Sequence, residues 1–356
     1  MASQSKAAAK NGREKVTAAR VRKPATHSRA SLAKESPRFV EPMKARLQYE
    51  LPSAREWVFE WKLDGIRAIG VKSNRKVQLF SRLPRNLSPQ YPTIVSALDK
   101  LPARQLVVDG EIVALDKTGR PSFQLLQNRK RNNRSIHYYI FDLLNLDGHD
   151  LKPLPLTQRR QALECLLAKA SSPLRFSASL KSAASRIWKQ ATALGLEGVI
   201  AKRKNSMYEP GRRSGAWIKI KVQNEQEFVI GGYTAPDGSR KYFGSLMVGY
   251  YQGHNLLFVS RVGTGFDSVT LRDLHRLFQR YRITNCPFSN LPTARTRRSG
   301  RGITASDMAR CVWLKPALVC QVRFLEWTED GSLRQPVFLG VRDDKKPREV
   351  VRERVV

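Results

Sequence analysis

Acidic residues are scarce in this chain of 356 residues: 30 Asp and Glu stand against 64 Lys and Arg, a net charge of +34. Such an excess points to a polyanionic partner, above all nucleic acid, where phosphate neutralisation dominates binding. An anionic membrane surface is the weaker alternative, because no long basic amphipathic helix with an aromatic face is present. Cysteine is also scarce. Cys165, Cys286, Cys311 and Cys320 are widely spaced and form no C-x-x-C, which argues against a disulfide framework or structural zinc site and fits a reducing compartment. No apolar run approaches the ~18–20 residues that span a membrane as a helix, and there is no secretory h-region. Hydrophobic residues nonetheless make up 41% of the chain. That is enough for a sizeable core, and the length suggests two domains.

Residues 1–38 carry ten Lys and Arg, two Glu and almost no large apolar side chains. Such a stretch cannot offset its ordering entropy, so it reads as a disordered basic arm. A nucleic-acid-binding arm is preferred over an organelle transit peptide, which has a similar composition. From 39 to 222, short apolar strands alternate with helix-like stretches. Strands are expected at Val58–Glu60, Ala68–Val71, Val77–Phe80, Leu106–Val108, Ile112–Leu115, Ile136–Phe141, Gly198–Ala201 and Trp217–Ile220. Helical spacing marks Leu156–Ala170 and Lys181–Leu194. From 223 to 356, five strands joined by Gly-containing turns such as Pro236-Asp-Gly-Ser and Thr328-Glu-Asp-Gly-Ser surround one helix, Leu271–Tyr281. That is the rhythm of a small Greek-key barrel of the OB type. The acid-free stretch Pro292–Gly302, with four arginines, reads as a solvated basic loop.

The chemistry is expected to start at Lys62. Glu60-Trp61-Lys62-Leu63-Asp64-Gly65-Ile66-Arg67 ends an apolar strand on a lysine ahead of an Asp-Gly turn. Partial desolvation and neighbouring cations would lower its pKa and expose a nucleophilic amine. On this segment alone, a hairpin lysine pointing to solvent is an equal reading. In so acid-poor a chain, carboxylates inside apolar strands stand out: Asp109 and Glu111 in Val108-Asp-Gly-Glu-Ile112, and Glu197 in Leu196-Glu-Gly-Val-Ile. Each needs a cation or hydrogen-bond donors. Mg²⁺ suits such hard oxygen ligands, and pairing with a nearby arginine is the alternative. Trp217-Ile-Lys219-Ile-Lys221 sets two lysines on one strand face, as a phosphate clamp or as the decoration of an exposed edge.

Taken in order, these segments resemble the motifs of the covalent nucleotidyltransferases, which comprise ATP-dependent DNA ligases, RNA ligases and mRNA-capping enzymes. Lys62–Arg67 resembles the first motif and Ser81-Arg82 the short element after it. Val108–Ile112 resembles the third, Tyr139-Ile-Phe141-Asp142 the aromatic element that follows, Glu197–Lys202 the fourth and Trp217–Lys221 the fifth. Ser332–Lys345 resembles the sixth in its DNA-ligase form. Phe39-Val-Glu-Pro-Met43, Phe228–Thr234, Gly238-Ser-Arg240, Arg261–Phe266 and Glu326–Gly331 are similar to the ligase domain of bacterial ligase D, the end-joining ligase. One departure is Leu83-Pro84-Arg85-Asn86, where the family usually has a Gly and an Asp or Glu.

The resemblance implies an α+β nucleotidyltransferase (adenylation) domain of antiparallel sheets with flanking helices over 39–222, then an OB-fold β-barrel over 223–356. It implies a free-standing ligase, since no polymerase or phosphoesterase module fits in the basic arm. ATP and Mg²⁺ (or Mn²⁺) would be used to seal 5′-phosphate/3′-hydroxyl breaks in duplex DNA. By analogy Lys62 is the nucleophile that carries AMP, and Glu60 contacts the adenine amino group. Arg67 and Arg82 hold the ribose or the nick phosphate, and Glu111 the ribose hydroxyl or metal. Phe141 stacks on adenine, Glu197 binds metal, and Lys219 and Lys221 take the α-phosphate. Arg334, Arg342 and Lys345 reach the leaving pyrophosphate. Asp64, Gly65 and Asp109 support the turns. A cytoplasmic, nucleoid-associated monomer follows, with recruitment by a Ku-type end-binding protein left open and no membrane partner. An RNA ligase, a capping-type enzyme and a non-catalytic basic DNA-binding protein are the alternatives. An NAD-dependent ligase would normally add a zinc-binding cysteine cluster.

Overall fold

Short β-rich segments that alternate apolar and polar residues must bury one face, and in this chain they do so in two successive bodies. The computed structural model describes residues 32–353, apart from 75, 128–134, 171, 183, 237–239 and 292–307. Nearly all of the expected basic arm, the basic loop at 292–302, the turn after Pro236 and most of Gly238-Ser-Arg240 lie outside the described residues.

The first body holds two sheets. One is ordered Lys76–Ser81, Ile66–Ser73, Gln105–Ala114, Ile136–Leu146, His149–Asp150, with Leu174–Phe176 running parallel beside Ile136–Leu146. The other is ordered Arg46–Gln48, Trp217–Lys221, Gly198–Arg203, Trp57–Lys62, antiparallel except at its Arg46–Gln48 edge. The chain leaves Trp57–Lys62 in one sheet and enters Ile66–Ser73 in the other through Leu63-Asp64-Gly65. Lys62 therefore stands at the junction of the sheets. Between them pack Met43, Ile69, Val107, Leu144, Tyr208 and Trp217. Helix Ala184–Ala193 covers the second sheet, setting Ile187 and Ala191 on Phe59, Val199 and Ile220.

Gln105–Ala114 is one continuous strand where two were expected. Its polar centre is tolerated because Asp109 is paired across the core. Gly110 is required by close packing: a Cβ there would meet the Tyr139 carbonyl at 2.5 Å and the Tyr138 ring at 2.6 Å. The helix expected at Leu156–Ala170 starts on Leu156 and stops at Leu167, that expected at Lys181–Leu194 runs Ala184–Ala193, and that expected at Leu271–Tyr281 is shifted to Ser268–Phe278. Helix Pro92–Asp99 was not anticipated. Its one pair of buried apolar residues, Ile94 and Leu98, is too short a period to detect, although Pro92 at its first turn is a regular start signal.

In the second body a long sheet runs Asn255–Val262, Leu246–Gln252, Asn224–Thr234, Cys311–Phe324, and Val337–Val341 joins Cys311–Phe324 on the far side. A single parallel bridge, Thr264 to Val337, spans the two ends of this path. Among the described residues the ladders do not close into a full barrel. Helix Ser268–Phe278 is capped by Asp267, whose side chain accepts from the Thr270 N–H at 2.6 Å. Tyr233, Phe243, Phe258, Phe278 and Phe338 are among the residues filling the interior. No helix among the described residues is long and apolar enough to cross a membrane.

Candidate active site

Strand register brings the distant segments together. Lys62 and Lys221 both stand opposite Gly198 on its two neighbouring strands. The approach is so close that a Cβ at Gly198 would lie 2.0 Å from the Ile220 carbonyl oxygen. Glu197, one residue earlier, is thereby placed beside Lys62, whose Nζ donates to its Oε2. A cavity of about 220 Å³ opens here, lined from the first body by Glu60, Lys62, Asp64, Arg67, Arg82, Glu111, Phe141, Glu197, Lys219 and Lys221, and from the second by Glu225, Glu227, Gln321, Arg342, Lys345 and Glu353.

The expectation for Lys62 is corrected by this geometry. Burial does press its pKa down, but Glu197 in contact, with Asp64 and Glu111 beyond, presses it up harder, and the ammonium form is held above its ordinary range. The neighbouring cation expected to oppose it is engaged elsewhere. Arg67 forms a two-pronged pair with Asp109 (3.0 and 2.6 Å) and donates to the Met43 carbonyl at 2.7 Å. Asp109 is also held by the Tyr208 hydroxyl at 2.7 Å. The Arg67 guanidinium lies 5.3 Å from the Phe141 ring centre and 5.5 Å from that of Trp217.

Glu60 is buried, and its carboxylate is already occupied. Oε1 accepts from Arg160 at 2.5 Å and pairs with Lys202 at 3.0 Å, while Oε2 accepts from Ser177 at 2.7 Å. Glu60 thus anchors two cations: Lys202, whose ammonium lies 4.0 Å from the Phe141 ring centre, and Arg160, whose guanidinium lies 4.8 Å from that of Phe176. Asp142, next in the chain, makes a fully buried two-pronged pair with Arg159 (2.8 and 2.9 Å).

Three carboxylates converge in the wall of the cavity. Oxygens of Asp64, Glu197 and Glu225 all lie within 4.8 Å of one another. Burial, reinforced by Glu225 and Glu197, lifts Asp64 to about 7, and burial with Glu197 also raises Glu225. Hard oxygens crowded with like charge fit a divalent cation of the Mg²⁺ kind, which would relieve their repulsion. Glu111 lines the same cavity, lifted to about 8 by burial against the pull of Arg342, Lys62 and Arg67, but it is not one of these three. Asp64, expected only to support its turn, stands among them, while also accepting from the Phe123 N–H at 3.3 Å and from Gln321 at 3.2 Å. At Gly65 a Cβ would strike the Ile112 carbonyl at 2.2 Å.

The remaining cations have internal partners. Lys219 and Lys221 both hold Glu353, and Lys219 is lowered to about 8 by burial and by Lys221. Arg82 lies 4.0 Å from Glu349. Arg342 pairs with Asp344 through two 2.8 Å bonds and reaches Gln321 at 2.7 Å, and Lys345 pairs with Glu227 at 2.6 Å. Arg334 is not brought to the cavity: it pairs with Glu326 at 2.8 Å on an exposed hairpin. Sequence reasoning missed Glu225, Glu227, Gln321 and Glu353. The two acids of Asn224-Glu-Gln-Glu-Phe228 did offer a signal, being carboxylates at alternate positions leading into an apolar strand.

An amine at a strand end, facing a carboxylate cluster and a pair of lysines, with further cations supplied from the second body, is the arrangement of a covalent nucleotidyltransferase. Two family models match, the ATP dependent DNA ligase domain over residues 33–221 and the ATP dependent DNA ligase C terminal region over 239–345. The chain belongs to the ATP-dependent DNA ligase family. It is 37% identical over 338 residues to the multifunctional non-homologous end joining protein LigD of Pseudomonas aeruginosa, covering 93% of this chain and 39% of that protein. It is 41% identical over 302 residues to the corresponding Mycobacterium tuberculosis protein, covering 84% of this chain and 38% of that one. The chain thus spans about two fifths of the length of these curated relatives. The solved structure of mycobacterial DNA ligase D complexed with ATP and MES superposes with a TM-score of 0.66 at 37% identity, over 88% of this chain and 98% of that one.

Proposed function

We propose that this protein seals 5′-phosphate/3′-hydroxyl breaks in duplex DNA with ATP, within DNA repair by end joining. Residues 39–222 act as the adenylation domain and 223–356 as the OB-fold domain. The observation that carries the reading is the placement of Lys62 Nζ, the Lys219/Lys221 pair and the Asp64/Glu197/Glu225 carboxylates in one cavity. Lys62 attacks the α-phosphorus of ATP, forming a P–N bond as pyrophosphate leaves. The AMP is passed to the 5′-phosphate of a nick, and the 3′-hydroxyl then attacks to join the strands and release AMP. Each step is an in-line displacement at phosphorus, so positioning and charge neutralisation supply the catalysis.

The chain's residues divide that work. Lys219 and Lys221 neutralise the α-phosphate, and Arg342 and Lys345 neutralise the leaving pyrophosphate. Phe141 offers a face for adenine. Arg67 and Glu111 flank the ribose, and Arg82 stands where the ribose or the nick phosphate would lie. Glu60 positions Lys202 against Phe141 and Arg160 against Phe176. Before attack, Lys62 must lose the proton it donates to Glu197, and burial favours the neutral amine once Glu197 is otherwise engaged. Asp64, Glu197 and Glu225 would hold Mg²⁺, or Mn²⁺, which when bound supplies positive charge against the phosphates. A cytoplasmic protein working beside the nucleoid, alone or recruited by a Ku-type end-binding protein, fits this chemistry and the +34 charge. Incubating the purified protein with ATP, Mg²⁺ and nicked duplex tests the proposal: sealed product is expected only from 5′-phosphorylated nicks, and no product at all would refute it.

A further inference from the structure

Two lysines assigned to the α-phosphate are already bridged by a carboxylate from the far end of the described chain. After strand Val337–Val341 the backbone makes a short turn at Pro347–Glu349 and runs back over the second body. Val350 is buried in that body's core, and its carbonyl accepts from the Tyr251 N–H at 2.8 Å. The Arg348 guanidinium lies 4.3 Å from the Tyr251 ring centre, and that of Arg352 lies 4.3 Å from the Trp327 ring centre. Gln226 clamps Val351 and Glu353, its Nε2 donating to the Val351 carbonyl at 3.3 Å and its Oε1 accepting from the Glu353 N–H at 3.1 Å. Glu353 then reaches into the cavity. Its Oε1 accepts from Lys219 at 2.5 Å and its Oε2 from Lys221 at 2.6 Å.

This is how two non-bridging oxygens of a phosphate would sit on the same ammonium groups. We propose that residues 350–353 form an internal strap whose Glu353 occupies the phosphate position of the nucleotide pocket and must swing out before a nucleotide can engage Lys219 and Lys221. The inference rests on the reading of those two lysines as phosphate ligands. Charge and size agree with it. Burial works against the Glu353 anion, yet the two lysines outweigh burial and push its carboxyl down to about 2. The cavity, at about 220 Å³, is smaller than the roughly 300–1,000 Å³ usual for small-molecule sites, and Glu353 is one of the side chains lining it. The strap is tethered by contacts outside the cavity, at Val350 and Arg352. Glu353 therefore competes at the high effective concentration of an intramolecular ligand. Apparent affinity falls by the fraction of molecules with the pocket free, so a strap seated nine-tenths of the time masks roughly tenfold of the phosphate affinity.

Calorimetric titration of the whole chain with tripolyphosphate, and separately with adenosine, tests this in the absence of divalent metal. Glu353→Gln should bind tripolyphosphate about tenfold more tightly, with adenosine affinity unchanged. Gln226→Ala, which keeps the carboxylate but frees the strap, should also bind tripolyphosphate more tightly. Glu326→Gln, the same charge change on the exposed hairpin, should leave it at the wild-type value. Unchanged or weaker tripolyphosphate binding by Glu353→Gln would overturn the strap. So would an equal gain for adenosine, which would signal general loosening of the pocket, or an equal gain from Glu326→Gln. Failure of the ligase reading would show separately, as absence of a lysyl-adenylate in wild type and variant alike.

Discussion

Replacing Glu60 by glutamine isolates one buried charge while keeping its shape. Glu60 and Lys202 are each 2% exposed, and Arg160 is buried beside them. In the wild type one carboxylate sits against both cations, hydrogen-bonded to Arg160 and ion-paired with Lys202, and neutralises one of the two charges. Glutamine retains an acceptor for Ser177 or Arg160, worth about 1 kcal/mol, but leaves no counter-charge. Breaking a buried pair from one side typically costs about 3–5 kcal/mol. The alternative open to the variant is to deprotonate Lys202. Burial already lowers its pKa, and Glu60 is the main group holding it up. From an unfolded-state pKa of about 10.4, release of that proton at pH 7 costs about 4.6 kcal/mol. Both routes give a loss of about 3–5 kcal/mol. By the second route the folded pKa is depressed and the unfolded chain binds the extra proton, so stability rises with pH. The deficit then shrinks by about 1.4 kcal/mol per pH unit as pH 10 is approached. Urea unfolding followed by tryptophan fluorescence at pH 7 and pH 9 measures both quantities. A deficit under about 1 kcal/mol at pH 7, or one that widens at pH 9, would refute the reasoning.

Gly198→Ala should force the Gly198–Arg203 and Trp217–Lys221 strands apart, because its Cβ would sit 2.0 Å from the Ile220 oxygen. A loss of about 3 kcal/mol or more in denaturant titration, together with loss of lysyl-adenylate, is expected; wild-type stability would contradict the register argument. Saturating Mg²⁺ should raise the melting temperature of metal-free protein, by linkage worth about 2.7 kcal/mol at a hundred times Kd. Glu225→Gln should abolish most of that shift, and an equal shift in both proteins would remove Glu225 from the cation site. Deleting residues 1–36, which takes out nine Lys and Arg, should weaken duplex binding and flatten its dependence on salt. Unchanged affinity across salt concentrations would exclude the arm from DNA binding.

Much of the first body was legible because its strands are apolar runs cut by glycine, and periodicity reports burial on one face directly. The Asp109-Gly110-Glu111 interruption concealed a single strand, since the charge compensation by Arg67 and Tyr208 is long-range and leaves no local trace. The same limit explains Lys62. Local sequence shows the desolvating strand and the arginine five residues on, but not that Arg67 turns to Asp109 while Glu197, 135 residues away, faces the amine. Arg334 and Arg342 look alike in the sixth motif, yet one lies on a free hairpin and the other beside Gln321 and Asp344. Their difference is set by where Val337–Val341 joins the sheet, which no pattern of residue types encodes. Glu353 was invisible for a related reason: it acts through a tail whose path depends on the finished second body.

The central claim is that Lys62 is the residue that takes AMP. The direct measurement is transfer of label from ATP labelled at the α-phosphate, with Mg²⁺, to denatured protein, for wild type and Lys62→Ala after pyrophosphate treatment to discharge any AMP already bound. Label stable to denaturing electrophoresis on the wild type alone, mapped by mass spectrometry to the peptide holding Lys62, is the predicted result. No label on discharged wild type, or equal label on Lys62→Ala, would contradict it.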